Sequence, residues 1–327
     1  MKIIVDAFGG DNAPLEILKG TADAVKEYGV EILLVGSKEK INECAKENNI
    51  SLDNMEIMDV EKVFLMEYDP ATVIKKNSDT TLAMGLKALS EGKGDAFVSA
   101  GSTGALVVGA TFITKRIKGI KRGALATLMP STEKPIMMLD VGANTECKPE
   151  YLHQFAVMGD IYMNKIMGYD SPKVALANIG TEENKGTELQ LEAYKLMSEA
   201  NYNFVGNIEA RDIPFGKADI IVCDGFSGNL ILKMYEGTAL AMGKRVKALF
   251  KKNFLSLIAA LLVKSGIDDF KKQMDYKEFG GAPILGVTKP VIKAHGSSDA
   301  KSFKNAIRQA INFIEKDVIN EIIANIK

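Results

Sequence analysis

The run VSAGSTGALVVGA, residues 98–110, contains the end of a strand, a turn and the start of a helix. An apolar, strand-like pattern ends at Ser99, small residues follow from Gly101 to Gly104, and an apolar stretch then resumes. A strand, a glycine-containing turn and a helix in this order form the βα unit of parallel sheets. The run therefore predicts an α/β fold.

Strand-like and helical patterns alternate in the same way through most of the 327 residues. This alternation is typical of a largely parallel sheet with helices on both faces. No repeat or low-complexity linker marks a domain boundary, so the prediction is one α/β catalytic domain over 1–327. The main predicted strands are 2–6, 30–36, 95–99, 124–129, 135–141, 174–178, 203–206, 220–223 and 284–287. The main predicted helices are 15–28, 39–48, 103–115, 150–167, 187–200, 228–250 and 300–326.

Composition and charge predict an ordinary cytoplasmic globular protein. Hydrophobic residues make up 46% and charged residues 25%, and the net charge of −1 gives no bulk attraction to nucleic acid. The N-terminus has no signal-peptide pattern, and the longest apolar run, 254–263, is about half of the ~20 residues that a membrane span requires. Cys44, Cys147 and Cys223 have no metal-type spacing and are expected to be reduced thiols.

Glycine-rich turns follow several of the predicted strands. Ligands of open α/β sheets bind beyond the carboxyl ends of the strands. Any single turn can equally be a tight βα connection, in which glycine tolerates positive φ, but five together favour one composite site. The five turns lie at 6–11, 101–104, 140–144, 178–186 and 224–229.

Several common catalytic motifs are absent from the sequence. No dinucleotide-binding glycine motif, P-loop or nucleophile elbow occurs, and only two histidines, His153 and His295, are present. We therefore predict no metal site. The remaining backbone amides, hydroxyls, carboxamides and lysines suit an anion, and Ser102 and Thr103 add hydroxyl donors at a helix N-terminus.

Residues 237–266 contain no acidic residue and six cations. Phe250, Phe254 and Leu257 recur at helical spacing on a wide apolar face. One interpretation is a buried helix with a solvated basic end. The other is a basic amphipathic helical projection at about 237–267 that docks an acidic protein or rests on an anionic membrane. The six cations are Lys244, Arg245, Lys247, Lys251, Lys252 and Lys264.

Seven motifs lie in order along nearly the whole chain. They are DAFGGDNAP (6–14), SAGSTGA (99–105), LDVGAN (139–144), NIGTEENKG (178–186), GFSGN (225–229), EFGGAPILGV (278–287) and AHGSS (294–298). Together they resemble the phosphate acyltransferases of bacterial phospholipid synthesis. The resemblance implies conversion of long-chain acyl-acyl-carrier-protein and inorganic phosphate to acyl phosphate and free carrier protein, without a cofactor. It also implies a three-layer α/β/α sandwich like that of phosphotransacetylases and isopropylmalate dehydrogenases, usually in a homodimer.

Phosphate itself can attack a thioester carbonyl, so the expected catalytic residues are electrostatic helpers. Lys185 is expected to neutralise the phosphate or the oxyanion, although it could be an ordinary surface lysine. Asn144 and Asn229 are expected to donate to the carbonyl oxygen, although asparagine is also a common turn or cap residue. The expected substrate-binding residues are Gly9, Gly10, Asp11, Gly101, Ser102, Thr103, Gly104, Gly280, Gly281 and His295.

Three alternative functions remain open at this stage. The nearest is a short-chain phosphotransacylase that uses acyl-coenzyme A. The others are a metal-dependent hydroxyacid dehydrogenase of related fold and a membrane-associated scaffold that binds an acidic carrier. The expected partners are acidic acyl carrier protein, inorganic phosphate and a second copy of the chain, with no nucleic acid. Membrane association is left open, either direct or through a membrane acyltransferase.

Overall fold

The predicted α/β fold is confirmed by a computed structural model, which describes residues 1–267 and 280–326. The first two residues of the motif at 278–287 therefore lie outside the described residues. The strands are β1 (Lys2–Asp6), β2 (Glu31–Gly36), β3 (Met55–Asp59), β4 (Ala96–Ser99), β5 (Ala124–Leu125), β6 (Thr127–Met129), β7 (Ile136–Leu139), β8 (Val174–Asn178), β9 (Phe204–Glu209), β10 (Ile220–Val222), β11 (Ala282–Leu285) and β12 (Val291–Lys293). The α-helices are α1 (Leu15–Tyr28), α2 (Lys38–Glu47), α3 (Thr81–Ser90), α4 (Thr103–Gly109), α5 (Pro149–Lys165), α6 (Glu188–Ser198), α7 (Gly225–Phe250), α8 (Phe254–Leu262), α9 (Ala300–Glu315) and α10 (Val318–Asn325).

The described strands form two sheets. The seven-stranded sheet has the order β3-β2-β1-β4-β12-β11-β5, and its first five strands are parallel. The five-stranded sheet has the order β6-β7-β10-β8-β9, in which only β6 is antiparallel to its neighbour. The carboxyl ends of the parallel strands in each sheet therefore lie at one edge, where ligands of α/β proteins bind.

The chain crosses between the two sheets within one predicted strand, 124–129. The structure divides this stretch, since β5 pairs with β11 of the first sheet and β6 pairs with β7 of the second. Ala126 lies between them and donates its N–H to the Pro283 carbonyl at 3.0 Å. A continuous apolar run does not reveal such a crossing, because both halves are buried.

Apolar residues alternate between an outer and a central core. In β1, Ile3 and Val5 pack with residues of α1 and α9, while Ile4 faces the opposite side. The central core joins Ile4 of the first sheet to Met138 of the second. On the outer face of the second sheet, Leu139 packs with residues of α5. Helices thus cover the outer faces of both sheets, as the α/β/α sandwich predicts.

Two predicted helices differ from the observed ones. The helix predicted over 300–326 is divided into α9 and α10, because Asp317 adopts a left-handed φ of 51° between them. The helix predicted over 103–115 is α-helical only to Gly109 and continues as a π-helix over Ala110–Lys115. The predicted set also omitted β3, β12 and α3. The alternation in β3 (MEIMD) is broken at Met58, and β12 is only three residues long, so neither gives a clear period-two pattern.

The segment of basic and apolar residues extends from the sandwich as α7 and α8. Buried residues of α7 are confined to its first turn, at Gly225 and Gly228, and α8 has none. Phe254 is 76% and Leu262 80% exposed at the apolar end of the segment. All six predicted docking cations are exposed. Within the described residues, no helix is both long enough and apolar enough to cross a bilayer.

Candidate active site

The glycine-rich turns meet around a cleft of about 610 Å³. Its walls come from the carboxyl ends of β1, β4, β7 and β12, from the first turns of α4 and α7, and from the start of β11. Ten of the predicted site residues line it, which joins segments far apart in sequence. They are Gly9, Gly10, Asp11, Gly101, Thr103, Gly104, Asn229, Gly280, Gly281 and His295.

Hydrogen bonds tie the loop after β1 to the loop after β12. Asp11 donates its backbone N–H to the Gly296 carbonyl at 2.8 Å. The Asn12 side-chain amide donates to the carbonyls of Ser297 and Ser298 at 3.3 and 3.2 Å. The two loops therefore form one continuous wall of the cleft.

The loop after β1 is also held against the turn after β4. Ser99 Oγ donates to Asp6 Oδ2 at 2.8 Å and accepts the Gly101 N–H at 3.0 Å. A Cβ atom on Gly9 would lie 2.7 Å from the Gly101 nitrogen, which no real side chain tolerates. Burial raises the pKa of Asp6, and the hydrogen bond from Ser99 lowers it in part. Gly9 is thus required by the close approach of two backbones.

The Gly101–Gly104 turn presents its backbone to the cleft, while one of its hydroxyls points back into the fold. Ser102 is buried, and its Oγ accepts the Ala105 N–H at 3.4 Å as the N-cap of α4. Gly101, Thr103 and Gly104 line the cleft, whereas Ser102 does not. The structure therefore places Ser102 behind the predicted anion cradle, as a support for it.

Asp140 organises the turn that follows β7. Its carboxylate accepts the backbone N–H groups of Leu125, Ala143 and Asn144 at 2.9, 3.1 and 2.6 Å. Burial raises the pKa of Asp140 to about 6, against the lowering effect of these bonds. Asn144 donates its side-chain amide to Asp140 and to the Gly123 carbonyl, at 2.9 and 2.8 Å. Both amide hydrogens of Asn144 are thus engaged, and Asn144 does not line the cleft.

Asn229 reaches the cleft from the first turns of α7. Asp224 begins the helix by accepting the Ser227 N–H at 2.8 Å. Gly228 packs against the Asp140 carbonyl, and the Asn229 amide nitrogen lies 3.9 Å from the position that a Gly142 Cβ would occupy. Within the described residues, the Asn229 side chain makes no hydrogen bond and keeps its donors available.

The structure does not bring Lys185 to this cleft. Lys185 is exposed in the turn after β8, and β10 separates β8 from β7. Its backbone carbonyl accepts from the Asn178 amide at 3.0 Å, which closes the turn on itself. The position follows from the strand order β7-β10-β8, which the sequence does not reveal.

Four charged residues of the cleft were absent from the predicted site: Asp6, Lys233, Glu236 and Lys293. Lys233 Nζ and Glu236 Oε2 lie 2.7 Å apart on α7. The spacing of Asn229, Lys233 and Glu236 puts all three on one helix face, a signal that could have located two of them. Lys293, in the sequence PVIKAHG, was masked by its apolar neighbours.

His295 lies in the cleft wall, where its Nδ1 is 2.9 Å from Ser297 Oγ. Desolvation by the surrounding wall, followed by the charge of Lys233, lowers the pKa of His295. Within 1–267 and 280–326, no three His, Cys, Asp or Glu side chains gather as a metal site. The polar groups here are amides, a hydroxyl, an imidazole and ammonium groups, alongside the carboxylates of Asp6, Asp11 and Glu236.

Comparison with known proteins identifies the family to which the chain belongs. Residues 1–321 match the model of the family described as fatty acid synthesis protein. The chain is 46% identical over 322 residues to the phosphate acyltransferase of Thermoanaerobacterium thermosaccharolyticum, covering 98% of this chain and 96% of that protein. It is 47% identical over 323 residues to the phosphate acyltransferase of Clostridium tetani, covering 98% and 97%.

A solved structure shows the same fold. The phosphotransacetylase from Streptococcus pyogenes aligns with a TM-score of 0.65 at 18% identity, covering 98% of this chain and 94% of that one. The α/β architecture is thus shared with phosphotransacetylases, as the sequence predicts. The chain belongs to the fatty acid synthesis protein family and, within it, to the phosphate acyltransferases.

Proposed function

We propose that the enzyme transfers the acyl group of long-chain acyl-acyl-carrier-protein to inorganic phosphate, which yields acyl phosphate for phospholipid synthesis. The observation that carries this proposal is the cleft itself. Both the Gly101–Gly104 turn and the Asn229 amide, which has no hydrogen-bond partner among the described residues, line this cleft. A phosphate bound at the Gly101–Gly104 turn could then attack a thioester carbonyl whose oxygen accepts a hydrogen bond from the Asn229 amide.

The acyl group can pass directly from sulfur to phosphate, so the reaction needs no covalent enzyme intermediate. A phosphate oxygen attacks the thioester carbon, the carbonyl oxygen becomes an oxyanion, and the carbon–sulfur bond then breaks. The leaving thiol has a pKa of about 8.5 by analogy with cysteine, so a strong general acid is not needed. Alignment of the two substrates can remove about 7–11 kcal/mol of the barrier, and one oxyanion donor contributes about 3 kcal/mol.

The other predicted residues take supporting roles in this proposal. Asn144 and Ser102 order the turns on which the substrate groups rest, through the bonds described above. The carboxylate of Asp11 would repel phosphate, so we assign Asp11 to ordering the loop after β1 and not to binding phosphate. The catalytic role of Lys185 stays a prediction. Its exposed position in the turn after β8, which β10 separates from β7, argues against that role. The remaining wall residues are Gly9, Gly10, Gly280, Gly281 and His295, which shape the cleft.

Release of carrier-protein thiol from palmitoyl-acyl-carrier-protein is expected to require phosphate. With phosphate, the acyl product should be an acyl phosphate that hydroxylamine converts to a hydroxamate faster than it converts the thioester. Incubations with and without phosphate, each with and without enzyme, measure both products. Equal thiol release in phosphate-free buffer would show a hydrolase and contradict the proposal.

Acyl-coenzyme A is the alternative donor, and the same assay separates the two. Palmitoyl-acyl-carrier-protein is expected to have a higher kcat/KM than acetyl- or butyryl-coenzyme A. A clear preference for the short coenzyme A esters would favour the phosphotransacylase alternative instead.

We propose that the exposed segment made of α7 and α8 binds the partners of the enzyme, which are acyl carrier protein, a second copy of the chain and the membrane surface. Its six cations suit acidic carrier protein, because complementary charge speeds encounter and fixes orientation. Phe226, Leu230 and Met234 are exposed at spacings of four on α7, a stripe that a second copy of the chain would cover in a homodimer. The apolar end at α8 would hold this cytoplasmic enzyme peripherally at the membrane, directly or through a membrane acyltransferase.

Charge reversal by Lys251→Glu with Lys252→Glu is expected to raise KM for the carrier-protein substrate about tenfold, with kcat little changed. The two residues lie between α7 and α8, outside the cleft, so they would affect docking alone. Steady-state kinetics at low and high salt measure KM for both proteins. Salt should raise KM of the wild type by screening the charge attraction, and should therefore reduce the difference between wild type and variant. The matched control is Lys38→Glu with Lys40→Glu on α2. An unchanged KM in the first variant would place the docking surface elsewhere.

A further inference from the structure

Lys293 is a buried lysine at the centre of the cleft wall. It is the last residue of β12, pairs with Ser99 of β4, and is only 8% exposed. Its Nζ donates to the Ala100 carbonyl at 3.1 Å and to its neighbour, the Ala294 carbonyl. The ammonium therefore sits where the turn after β4 meets the turn after β12.

The charge of Lys293 is not neutralised by an ion pair. A lysine ammonium has three N–H donors, and the two carbonyls use two of them. In the part of the chain that the structure describes, no carboxylate forms a salt bridge with Nζ. Burial of an unpaired charge is costly, and a neutral amide donor could hold the same two carbonyls. An anion bound in the cleft would stabilise the buried ammonium of Lys293, which explains a lysine at this position better than the two carbonyl bonds do.

We propose that Lys293 binds the phosphate substrate through its third N–H, a role that rests on the proposed function. The Nζ atom donates a hydrogen bond to the carbonyl of Ala100, the residue directly before the Gly101–Gly104 turn. An anion bound at that turn would therefore lie beside Nζ. Its two carbonyl bonds fix the ammonium in place, so binding requires little reordering of the side chain. The same ammonium neutralises phosphate charge as the new carbon–oxygen bond forms.

The surroundings of Lys293 make its charge sensitive to pH. Burial lowers the pKa of Lys293 to about 8, and the charges of Asp11 and Asp6 act in the opposite direction. Lys233 on α7 adds to the lowering, and His295 lies on the following loop. Lys293 is thus charged below about pH 8 and loses its charge above it, so phosphate binding should weaken as pH rises through this range.

Lys293→Gln is expected to weaken binding of inorganic phosphate about tenfold or more, since it keeps a donor and removes the charge. Isothermal titration of phosphate into the full chain without acyl substrate measures this directly. KM for phosphate should rise to a similar extent, while KM for the acyl donor stays close to the wild-type value. Lys40→Gln, on the exposed face of α2, is the control for general loss of charge. Unchanged phosphate binding in folded Lys293→Gln would overturn the proposal.

A measurement on the wild type covers the case in which Lys293→Gln does not fold. Phosphate affinity is expected to fall about tenfold between about pH 8 and about pH 10, where phosphate keeps its dianionic form. The decline should remain in Lys233→Gln but move to higher pH, because the removed ammonium no longer lowers the pKa of Lys293. An affinity independent of pH would contradict the proposal. Because titration needs no acyl transfer, the result stands apart from the identity of the acyl donor.

Discussion

Gly228→Ala is expected to lower the free energy of unfolding by about 3 kcal/mol, the upper end of the usual cost of overpacking. A Cβ atom at this position would lie 2.7 Å from Cys223 Sγ and closer still to the Asp140 carbonyl oxygen. The carbonyl belongs to the backbone and cannot turn away as a flexible side chain would. The first turn of α7 must therefore move off the turn after β7. Urea denaturation followed by circular dichroism measures the loss.

The same substitution farther along α7 provides the control. Gly237 is exposed, and a Cβ atom there would meet nothing within 4 Å. Gly237→Ala should therefore raise stability by up to about 1 kcal/mol, because alanine favours the helix over glycine. Equal effects in the two variants would mean that helix propensity alone governs the response. The close contact with Asp140 would then have no energetic consequence.

The contact at Gly228 illustrates which parts of the site the sequence could predict. Parallel strands of one sheet end at a common edge, so the turns after β1 and β4 could be expected to meet, whereas the turn after β7 comes from the second sheet. The small residues at Gly9 and Gly228 fit that expectation, because two backbones approach closely there. A glycine motif thus indicates a close approach, although the sequence does not name the partner.

The strand order explains why the remaining site could not be predicted. Each turn was predicted from local pattern, whereas the position of Lys185 depends on β10 lying between β7 and β8. Asn144 and Asn229 look alike in their glycine-containing turns, but Gly123, from another segment, engages the amide of Asn144. Lys293 ends a short strand of otherwise apolar residues, so only the three-dimensional fold reveals its place in the cleft. Non-local pairing decided each of these outcomes.

Asn229→Ala is expected to lower kcat about 10²-fold or more, the usual effect of losing one oxyanion donor. The Asn229 amide faces the cleft without a hydrogen-bond partner among the described residues, so it is available to the charge that develops on the carbonyl oxygen. A donor used mainly in the transition state lowers kcat and kcat/KM together and leaves KM little changed. Steady-state kinetics with palmitoyl-acyl-carrier-protein and phosphate measure both parameters.

Three companion variants separate this role from a structural one. Asn229→Asp keeps the shape but replaces donors with a negative charge, so it should lose at least as much activity as Asn229→Ala. Asn144→Ala should lower stability, because Asp140 and the Gly123 carbonyl lose a partner at 2.9 and 2.8 Å. A loss of kcat in Lys185→Ala equal to that in Asn229→Ala would place the turn after β8 at the reacting groups.

The decisive comparison is between kcat and stability in the two asparagine variants. A donor to the reacting carbonyl affects the rate without affecting the fold, whereas a donor to a buried carboxylate affects the fold first. If Asn229→Ala unfolds as readily as Asn144→Ala and keeps its kcat once folded, Asn229 has no part in the chemistry. The oxyanion would then have to be held by the other donors that line the cleft, which are the backbone amides of the turns, the Thr103 hydroxyl, the His295 imidazole and the ammonium groups.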